Sequence, residues 1–356
     1  MSWWGRRPRR DAPMPADPDG IVALVHVFEQ SVSAERLRAD VETLAVRPRS
    51  RRHAPQAMRQ AEAYAAAELR AAGWSAESRP FDLAWRLSST DRHHGKAPLV
   101  KIRLSRRLTG ANLVARLPGA DEQRPAVVLC AHLDTVDASP GADDNASGVA
   151  AVLETARLLA ALPDPPAVTL LLTDLEELGL IGARVAAREL GGARRISGVI
   201  SLEAVGYFAA QPDSQRLPAG FGLLFPAATA AVRATQYRGD FAAVVHRGSS
   251  APAAAVWKHA AAGTDPGLRG ILLRDPRPDG LLGQLIGLAI PPMGHLDRSD
   301  HSPFWNRRIP ALMVTGTANF RNPHYHRPSD EPGIVDYRGL TAVTVATAVT
   351  AVRWPC

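Results

Sequence analysis

Short apolar runs typical of buried strands alternate with segments of helical periodicity through most of the chain. Because strands that are apolar along their whole length are buried on both faces, this alternation predicts an α/β fold with a mostly parallel sheet between two layers of helices. In such a sheet, ligands bind beyond the carboxyl ends of the strands. The predicted strands cover residues 112–116, 126–131, 168–173, 199–202 and 309–314, and the predicted helices cover residues 54–72, 146–161, 181–190 and 337–352.

The composition limits the classes of protein to consider. The 356 residues are 46% hydrophobic and 22% charged, which excludes disorder for most of the chain. The net charge is +7, but the arginines are dispersed among acidic residues, and no basic stripe with interleaved aromatics is present. We therefore expect no nucleic-acid partner. Two cysteines are too few for a disulfide framework.

The amino-terminal residues are rich in Pro and Arg, and we expect a flexible tail over residues 1–25 and a single domain over residues 26–356. The arginines at positions 6–10 are followed by no apolar signal region. No apolar run reaches the ~18 residues that span a bilayer. These features predict a cytoplasmic location and no membrane partner. The Pro- and Gly-rich region 207–290, with strand-like runs at 222–225 and 241–245, is predicted to form the outer part of the sheet and the substrate side.

Five short stretches carry imidazole or carboxylate groups at the ends of predicted strands or in the loops between elements. Zinc binds imidazole nitrogen and carboxylate oxygen. Two zinc ions roughly 3.5–4 Å apart need four or five such ligands, one of which bridges the ions. We therefore expect these side chains to converge on a metal centre at one edge of the sheet. The stretches are His132-Leu-Asp134, Asp143-Asp144-Asn145, Asp174-Leu-Glu176-Glu177, Ser-Leu-Glu203 and Tyr325-His326.

Two of these stretches indicate how neighbouring side chains divide their roles. Asp134 lies two residues after His132, close enough for its carboxylate to accept the free ring N–H and fix the tautomer. Glu176 and Glu177 are adjacent carboxylates at a strand end, where they repel each other. A division of labour, in which one binds metal and the other takes the proton of a water molecule, resolves this repulsion. The alternative is a solvated pair at the start of a helix.

Other polar residues carry weaker information. For Asp300 and His301, two interpretations are open: a helix cap with a buried partner, or support of the metal ligands from outside. The remaining histidines have no neighbouring ligand groups, and we expect them to be structural or surface residues. They are His26, His53, His93, His94, His246, His259 and His295.

In this order, the motifs resemble the M28 family of zinc aminopeptidases. The resemblance implies a phosphorylase/hydrolase-like fold, which is a three-layer α/β/α sandwich with a mixed, mostly parallel central sheet. It also implies two zinc ions and hydrolysis of the amino-terminal peptide bond of a peptide with a free N-terminus. The resemblance runs from about residue 47 to residue 352. The matching patterns are His-x-Asp, Gly-Ala-x-Asp-Asn-x-Ser-Gly, Glu-Glu-x-Gly-Leu-x-Gly, Leu-Glu-x-x-Gly-Tyr and Arg-Asn-Pro-His-Tyr-His-x-Pro-x-Asp.

The same resemblance assigns a role to each candidate residue. Glu176 is similar to the general base of the family, and Tyr325 to the hydroxyl that polarises the scissile carbonyl. Asp144 is preferred over Asp143 because the family spacing places the bridging carboxylate four residues before Gly148. Many members have Asp where this chain has Glu203. The implied metal ligands are His132 and Glu203 for one ion, Glu177 and His326 for the other, and Asp144 as the bridge.

Two other functions stay open at this point. A glutaminyl cyclase resembles the same fold with a single zinc ion, and it closes a ring instead of using water. A non-catalytic binding module on the same scaffold would lose ligands or the base, whereas this chain keeps all six of the expected acids and imidazoles.

Overall fold

The computed structural model describes residues 15, 17–92, 99–119, 124–193 and 196–355. Eight strands within these residues form one sheet. The strands are β1 (Ser75–Arg92), β2 (Leu99–Arg116), β3 (Ala126–His132), β4 (Val168–Thr173), β5 (Ile196–Glu203), β6 (Phe241–His246), β7 (Arg269–Arg274) and β8 (Ala311–Thr315). Their order across the sheet is β1-β2-β4-β3-β5-β8-β6-β7.

Parallel pairing dominates the centre of this sheet. Strand β3 pairs in parallel with β4 and β5, and β5 pairs in parallel with β8. The antiparallel pairs are β1-β2, β2-β4 and β6-β8. Strands β3 and β4 are buried at every residue, as expected for strands covered on both faces. The predicted mixed, mostly parallel sheet is confirmed.

Helices cover both faces of the sheet. On one face, α1 to α4, α8 and α12 share a large apolar core with the strands, and Met58 and Trp257 are fully buried in it. On the other face, α5, α6 and α11 pack in a second core that contains Phe304 and Trp305. The helices are α1 (Pro18–Glu29), α2 (Ala34–Leu44), α3 (Pro55–Ala71), α4 (Gly148–Ala160), α5 (Ile181–Ala193), α6 (Phe221–Leu224), α7 (Pro226–Arg233), α8 (Ala251–Gly263), α9 (Leu281–Ala289), α10 (Pro291–Gly294), α11 (Ser302–Trp305) and α12 (Tyr337–Val352).

Two local predictions differ from the structure. The predicted tail over residues 1–25 overlaps α1, because the Asp17 side chain caps this helix by accepting from Gly20 N at 2.9 Å, and Ile21 and Val25 are buried. Residues 1–14 lie outside the described residues. The strand predicted for residues 222–225 is wrong: residues 222–224 lie in α6, which begins after the left-handed Gly220, and Phe225 joins α6 to α7 at Pro226.

The region 207–290 otherwise follows the expectation, since β6 and β7 form one outer edge of the sheet. The predicted strand 241–245 is β6, whereas β7 and most of the long β1-β2 hairpin were not predicted. His93 and His94 lie outside the described residues. None of the helices in the described part of the chain combines the length and hydrophobicity needed to cross a bilayer.

Candidate metal centre

The carboxyl ends of the central strands bring five predicted side chains into one buried site. His132 is the last residue of β3, Glu203 is the last residue of β5, and Glu177 follows β4. Asp144 lies in the π-helical turn Ala142–Ser147 that leads into α4. His326 lies in the loop after β8. All five side chains are buried, so residues nearly two hundred positions apart meet at one sheet edge, as the sheet rule predicted.

The five side chains form two groups that share Asp144. In the first group, His132 Nε2 lies 3.1 Å from Asp144 Oδ1 and 3.5 Å from Glu203 Oε2. In the second, His326 Nε2 lies 3.0 Å from Asp144 Oδ2 and 3.1 Å from Glu177 Oε1. Within each group, the candidate ligand atoms lie within 4.8 Å of one another. The two oxygens of Asp144 therefore face two different imidazoles.

The hydrogen bonding of these atoms fits a pair of cations. Buried polar atoms normally have hydrogen-bond partners. Nevertheless, among the described residues no partner of acceptable geometry satisfies His132 Nε2, Glu177 Oε1 or either carboxylate oxygen of Asp144. The short distances between these nitrogen and oxygen atoms show that the atoms of each group point toward a shared position. Imidazole and carboxylate groups at such points are the donor set that zinc takes in proteins.

Asp143, the neighbour of Asp144, has a different environment. Its Oδ1 accepts from Gly206 N at 2.7 Å and Tyr207 N at 3.1 Å, and its Oδ2 accepts from Asn322 Nδ2 at 2.8 Å. Both oxygens are therefore occupied by hydrogen bonds from the protein. Of the two adjacent acids, Asp144 is the one available to bridge two cations.

Asp134 supports the site in a way that the sequence did not predict. The His132 ring is not held by the Asp134 carboxylate, because Nδ1 lies 3.0 Å from the backbone oxygen of Asp134 and 3.8 Å from its Oδ1. The carboxylate instead accepts from Glu176 N at 3.0 Å and from Glu177 N at 3.2 Å. Asp134 thus fixes the backbone of the Glu176-Glu177 pair, and its carbonyl orients His132.

Three further residues hold the ligands and were not predicted as site residues. The Asp330 carboxylate accepts from Asp143 N at 2.9 Å and from Asp144 N at 3.2 Å. The Ser299 hydroxyl donates to Glu203 Oε2 at 2.8 Å. Arg49 is buried and donates to four backbone carbonyls, at Leu44, Leu133, Pro140 and Gly141. Arg49 therefore ties the segment after His132 to the loop that carries Asp144.

The charges in the site are strongly coupled. Burial alone would lower the pKa of both imidazoles, but the surrounding carboxylates have the larger, opposite effect. The pKa of His132 is therefore raised well above its usual value, and the pKa of His326 is raised to about 10. The same imidazoles outweigh burial at Asp144 and hold its pKa well below the usual value. Burial raises the pKa of Glu176, against the effect of His132. In the absence of cations, protons on the imidazoles balance the acids, and metal binding would displace those protons.

Glu176 and Tyr325 lie beside the two ligand groups but belong to neither. Glu176 is buried, and its backbone N–H is held by Asp134. The Tyr325 ring stacks on the His326 ring with centroids 3.8 Å apart and planes 16° apart. Burial raises the pKa of the Tyr325 hydroxyl well above its usual value, so the phenol keeps its proton and can donate a hydrogen bond.

A cavity of about 840 Å³, including its mouth, adjoins the site. Glu203 and Tyr325 line it on the side of the metal centre. The rest of the lining is mainly apolar and includes residues of α6, α7, β6, β7 and β8 and of the loops beside them. Its apolar lining includes Phe221, Val232, Phe241, Val245, Ile271, Leu273 and Met313. His295, predicted to be structural or on the surface, also lines this cavity.

Asp300 and His301 make no side-chain helix cap, although His301 occupies the N-cap position of α11. Thr173 Oγ1 donates to Asp300 Oδ2 at 2.5 Å, and burial raises the pKa of Asp300 to about 6. His301 Nε2 lies 2.8 Å from the Leu296 carbonyl, and burial lowers the pKa of His301 to about 3. Neither residue belongs to a ligand group.

Comparison with known proteins agrees with this geometry. The model of peptidase family M28 matches residues 112–249. The Escherichia coli protein YfbL, which is uncharacterised, is 33% identical over 246 residues, covering 65% of this chain and 67% of YfbL. The chain belongs to peptidase family M28. Leupeptin-inactivating enzyme 1 of Streptomyces exfoliatus is 41% identical over 104 residues, and aminopeptidase YwaD of Bacillus subtilis is 34% identical over 89 residues. These matches cover 28% and 25% of this chain, but only 23% and 20% of those two relatives.

Solved structures of two aminopeptidases and a glutaminyl cyclase share the fold. LapA aminopeptidase of Legionella pneumophila superposes with a TM-score of 0.62 at 15% identity, covering 99% of this chain and 76% of LapA. BSAP, a zinc aminopeptidase of Bacillus subtilis, gives 0.64 at 15% identity, with coverage of 91% and 95%. A glutaminyl cyclase of Porphyromonas gingivalis gives 0.54 at 18% identity, with coverage of 91% and 99%. The predicted M28 family and fold are confirmed, and the family implies zinc.

Proposed function

We propose that this M28 peptidase is an aminopeptidase that holds two zinc ions and removes the first residue of peptides with a free N-terminus. The observation that carries the proposal is the pair of ligand groups joined by Asp144, with one carboxylate oxygen toward each imidazole. His132 and Glu203 would complete one ion's ligands, and Glu177 and His326 those of the other. Bound zinc ions would lower the pKa of water and polarise a carbonyl group.

The protein side chains then have separate tasks. Glu176 lies next to a ligand but outside both ligand groups, and we assign it the role of general base. Its carboxylate accepts a proton from the attacking water and later returns that proton to the leaving amine. The Tyr325 hydroxyl donates a hydrogen bond to the carbonyl oxygen as negative charge develops there. Asp134 keeps Glu176 in place through the backbone N–H.

We also propose that the apolar cavity receives the side chain of the residue that is removed. The cavity begins at Glu203 and Tyr325 and continues to apolar residues such as Phe241, Val245 and Met313. A charged side chain in such a lining would lose hydration without a matching partner. We therefore expect aminoacyl amides of Leu, Met and Phe to be cleaved faster than those of Asp or Lys.

Metal analysis and activity measured on the same sample test the proposal. We expect about two zinc ions per chain, loss of aminoacyl-amide cleavage on chelation, recovery with zinc, and no cleavage of N-acetylated amides. Glu176→Gln should keep both ions and lose turnover by about a thousandfold. One zinc ion per chain with cyclisation of a peptide that begins with glutamine would instead identify a glutaminyl cyclase. A folded protein with neither reaction would be a binding module.

A further inference from the structure

Helix α9 has its large apolar side chains on the outside. Leu281, Leu282, Leu285 and Leu288 are exposed to between 62% and 76%, whereas Gly283 and Gly287 are buried. Positions 281, 285 and 288 lie on one face of a helix, and position 282 borders that face. Single exposed leucines are common, but here four lie together on one side of a helix and form one apolar patch, the leucine face. Within the described residues, the four leucine side chains are therefore largely uncovered.

The inward side of α9 is fixed by close packing. A β-carbon on Gly283 would lie 2.0 Å from the Pro278 carbonyl, and one on Gly287 would lie 1.9 Å from Arg277 Nη1. Arg277 is buried and donates to Asp297 Oδ2 at 2.6 Å and to Asp297 Oδ1 at 3.0 Å. Because only glycines fit against this ion pair, the helix cannot rotate its leucines into the protein. The outward direction of the leucine face is therefore built into the fold.

The acidic residues beside α9 are paired with arginines. The sequence has no Asp or Glu from residue 281 to residue 296, and Asp279 and Asp297, which flank this stretch, lie 3.6 Å from Arg247 Nη1 and 2.6 Å from Arg277 Nη1. The side chain of Arg308 packs over Gly280, at the start of α9, with Nε 3.0 Å from the position that a β-carbon would take. Arg307 and Arg308 are both exposed. An apolar helix face bordered by arginines complements a surface of negatively charged lipid headgroups.

The area of the leucine face is small for a protein dimer. Complete burial of one leucine side chain removes roughly 60–120 Å² of apolar surface, a range that follows when the free energy of its transfer out of water is divided by ~25 cal/mol per Å². Four leucines that are about two-thirds exposed therefore offer roughly 160–320 Å². A stable protein interface buries about 800 Å² on each partner. Insertion into lipid needs no such matching surface, so the area favours a membrane over a second copy of the chain.

We propose that α9 is a peripheral docking helix that lies in the headgroup region of an anionic membrane, with its leucine face toward the acyl chains. This inference concerns a surface outside the metal centre and does not depend on the peptidase reaction. It departs from the sequence-based expectation of no membrane partner, which considered only spanning segments. Residues His295, Leu296 and Arg298, which follow α9 and α10, line the substrate cavity. Docking through α9 would thus bring this cavity close to the lipid surface.

Sedimentation with vesicles of phosphatidylcholine and phosphatidylglycerol in equal parts tests the proposal, with pure phosphatidylcholine vesicles for comparison. The zinc-loaded full chain should bind the mixed vesicles, and the triple variant Leu282→Ser, Leu285→Ser, Leu288→Ser should bind them at least about tenfold more weakly. Arg307→Ser with Arg308→Ser should weaken binding to the mixed vesicles more than to pure phosphatidylcholine. Val22→Ser with Val27→Ser is the matched control, because these exposed valines lie on α1 in the opposite helical layer.

Three results would overturn the proposal. The first is a wild-type protein that does not bind the mixed vesicles. The second is a loss of vesicle binding in the α1 control that is as large as the loss in the α9 variant, provided that thermal unfolding shows both variants to be folded. The third is a wild-type protein that is a dimer in light scattering and binds no vesicles, together with an α9 variant that is a monomer. That result would assign the leucine face to a second copy of the chain.

Discussion

Replacement of Asp134 by Asn tests how the Glu176-Glu177 pair is held. The two carboxylate oxygens of Asp134 accept the backbone N–H groups of Glu176 at 3.0 Å and Glu177 at 3.2 Å. In the variant, an NH₂ group replaces one acceptor and faces a backbone N–H that it cannot satisfy. The loss of one hydrogen bond to a charged group, with a buried donor left unpaired, costs about 2–4 kcal/mol of unfolding free energy.

The same change should affect turnover more than binding. A displacement of a catalytic group by ~1 Å costs about a hundredfold in rate, so we expect kcat of the zinc-loaded variant to fall about a hundredfold with little change in KM. Urea unfolding and steady-state cleavage of an aminoacyl amide measure the two effects. Asp137→Asn is the control, because Asp137 is exposed on the same loop and pairs with His53 at the surface. Wild-type stability and kcat in Asp134→Asn would refute this account of the site.

Three further predictions concern the metal, the buried arginine and a buried histidine. Glu177→Gln should lower the zinc content from about two ions to about one per chain by metal analysis, and unchanged content would remove Glu177 from the ligands. Arg49→Met should lower the unfolding free energy by about 3–5 kcal/mol, because four buried carbonyls lose their donor; a loss no larger than that of the exposed-site control Arg327→Met would contradict this. Burial lowers the pKa of His301 to about 3 in the folded protein. Between about pH 6.5 and pH 3, His301 is therefore protonated in the unfolded chain but not in the folded protein, so the unfolding free energy falls as the pH drops through this range. His301→Gln should remove about 2 kcal/mol of that fall at pH 5 in acid-unfolding curves, and parallel curves for the two proteins would contradict the assignment.

The convergence of the candidate metal ligands could be predicted because these residues combine two local signals. Each is an imidazole or carboxylate, and most follow an apolar run that can only be a buried strand. Parallel strands end at the same edge of a sheet, so His132, Glu177 and Glu203 had to be neighbours once those strands were recognised. The resemblance to family M28 favoured Asp144 over Asp143, and the structure places only Asp144 between the two imidazoles.

Contacts across long stretches of sequence were not predictable in the same way. Asp134 was placed with His132 because they are two residues apart, but its carboxylate reaches backbone groups 42 and 43 positions away. Arg49 contacts carbonyls up to 92 positions away. The hydrophobic periodicity of the sequence does not indicate these long-range hydrogen bonds, because they depend on how the loops fold over the strand ends.

Helix α9 shows a second limit of pattern reasoning. An uncharged run rich in leucine is normally a sign of burial. Here the two glycines on the same helix decide the orientation, because a β-carbon on Gly283 would meet the Pro278 carbonyl and one on Gly287 would meet Arg277. The sequence shows the leucines and the glycines, but only the packed structure shows which of them faces the protein.

The acids around the metal centre fall into two classes by their hydrogen bonds, and this division explains why neighbouring aspartates differ in role. Asp134, Asp143 and Asp330 each accept backbone N–H groups with their carboxylates, so their charge is balanced by the protein itself. Asp144 has no such donor among the described residues, although it is equally buried. A buried carboxylate without donors is costly unless a cation neutralises it. The protein thus balances the supporting acids through its backbone, whereas at Asp144 the balance would come from the two imidazoles or from the cations of the proposed metal centre.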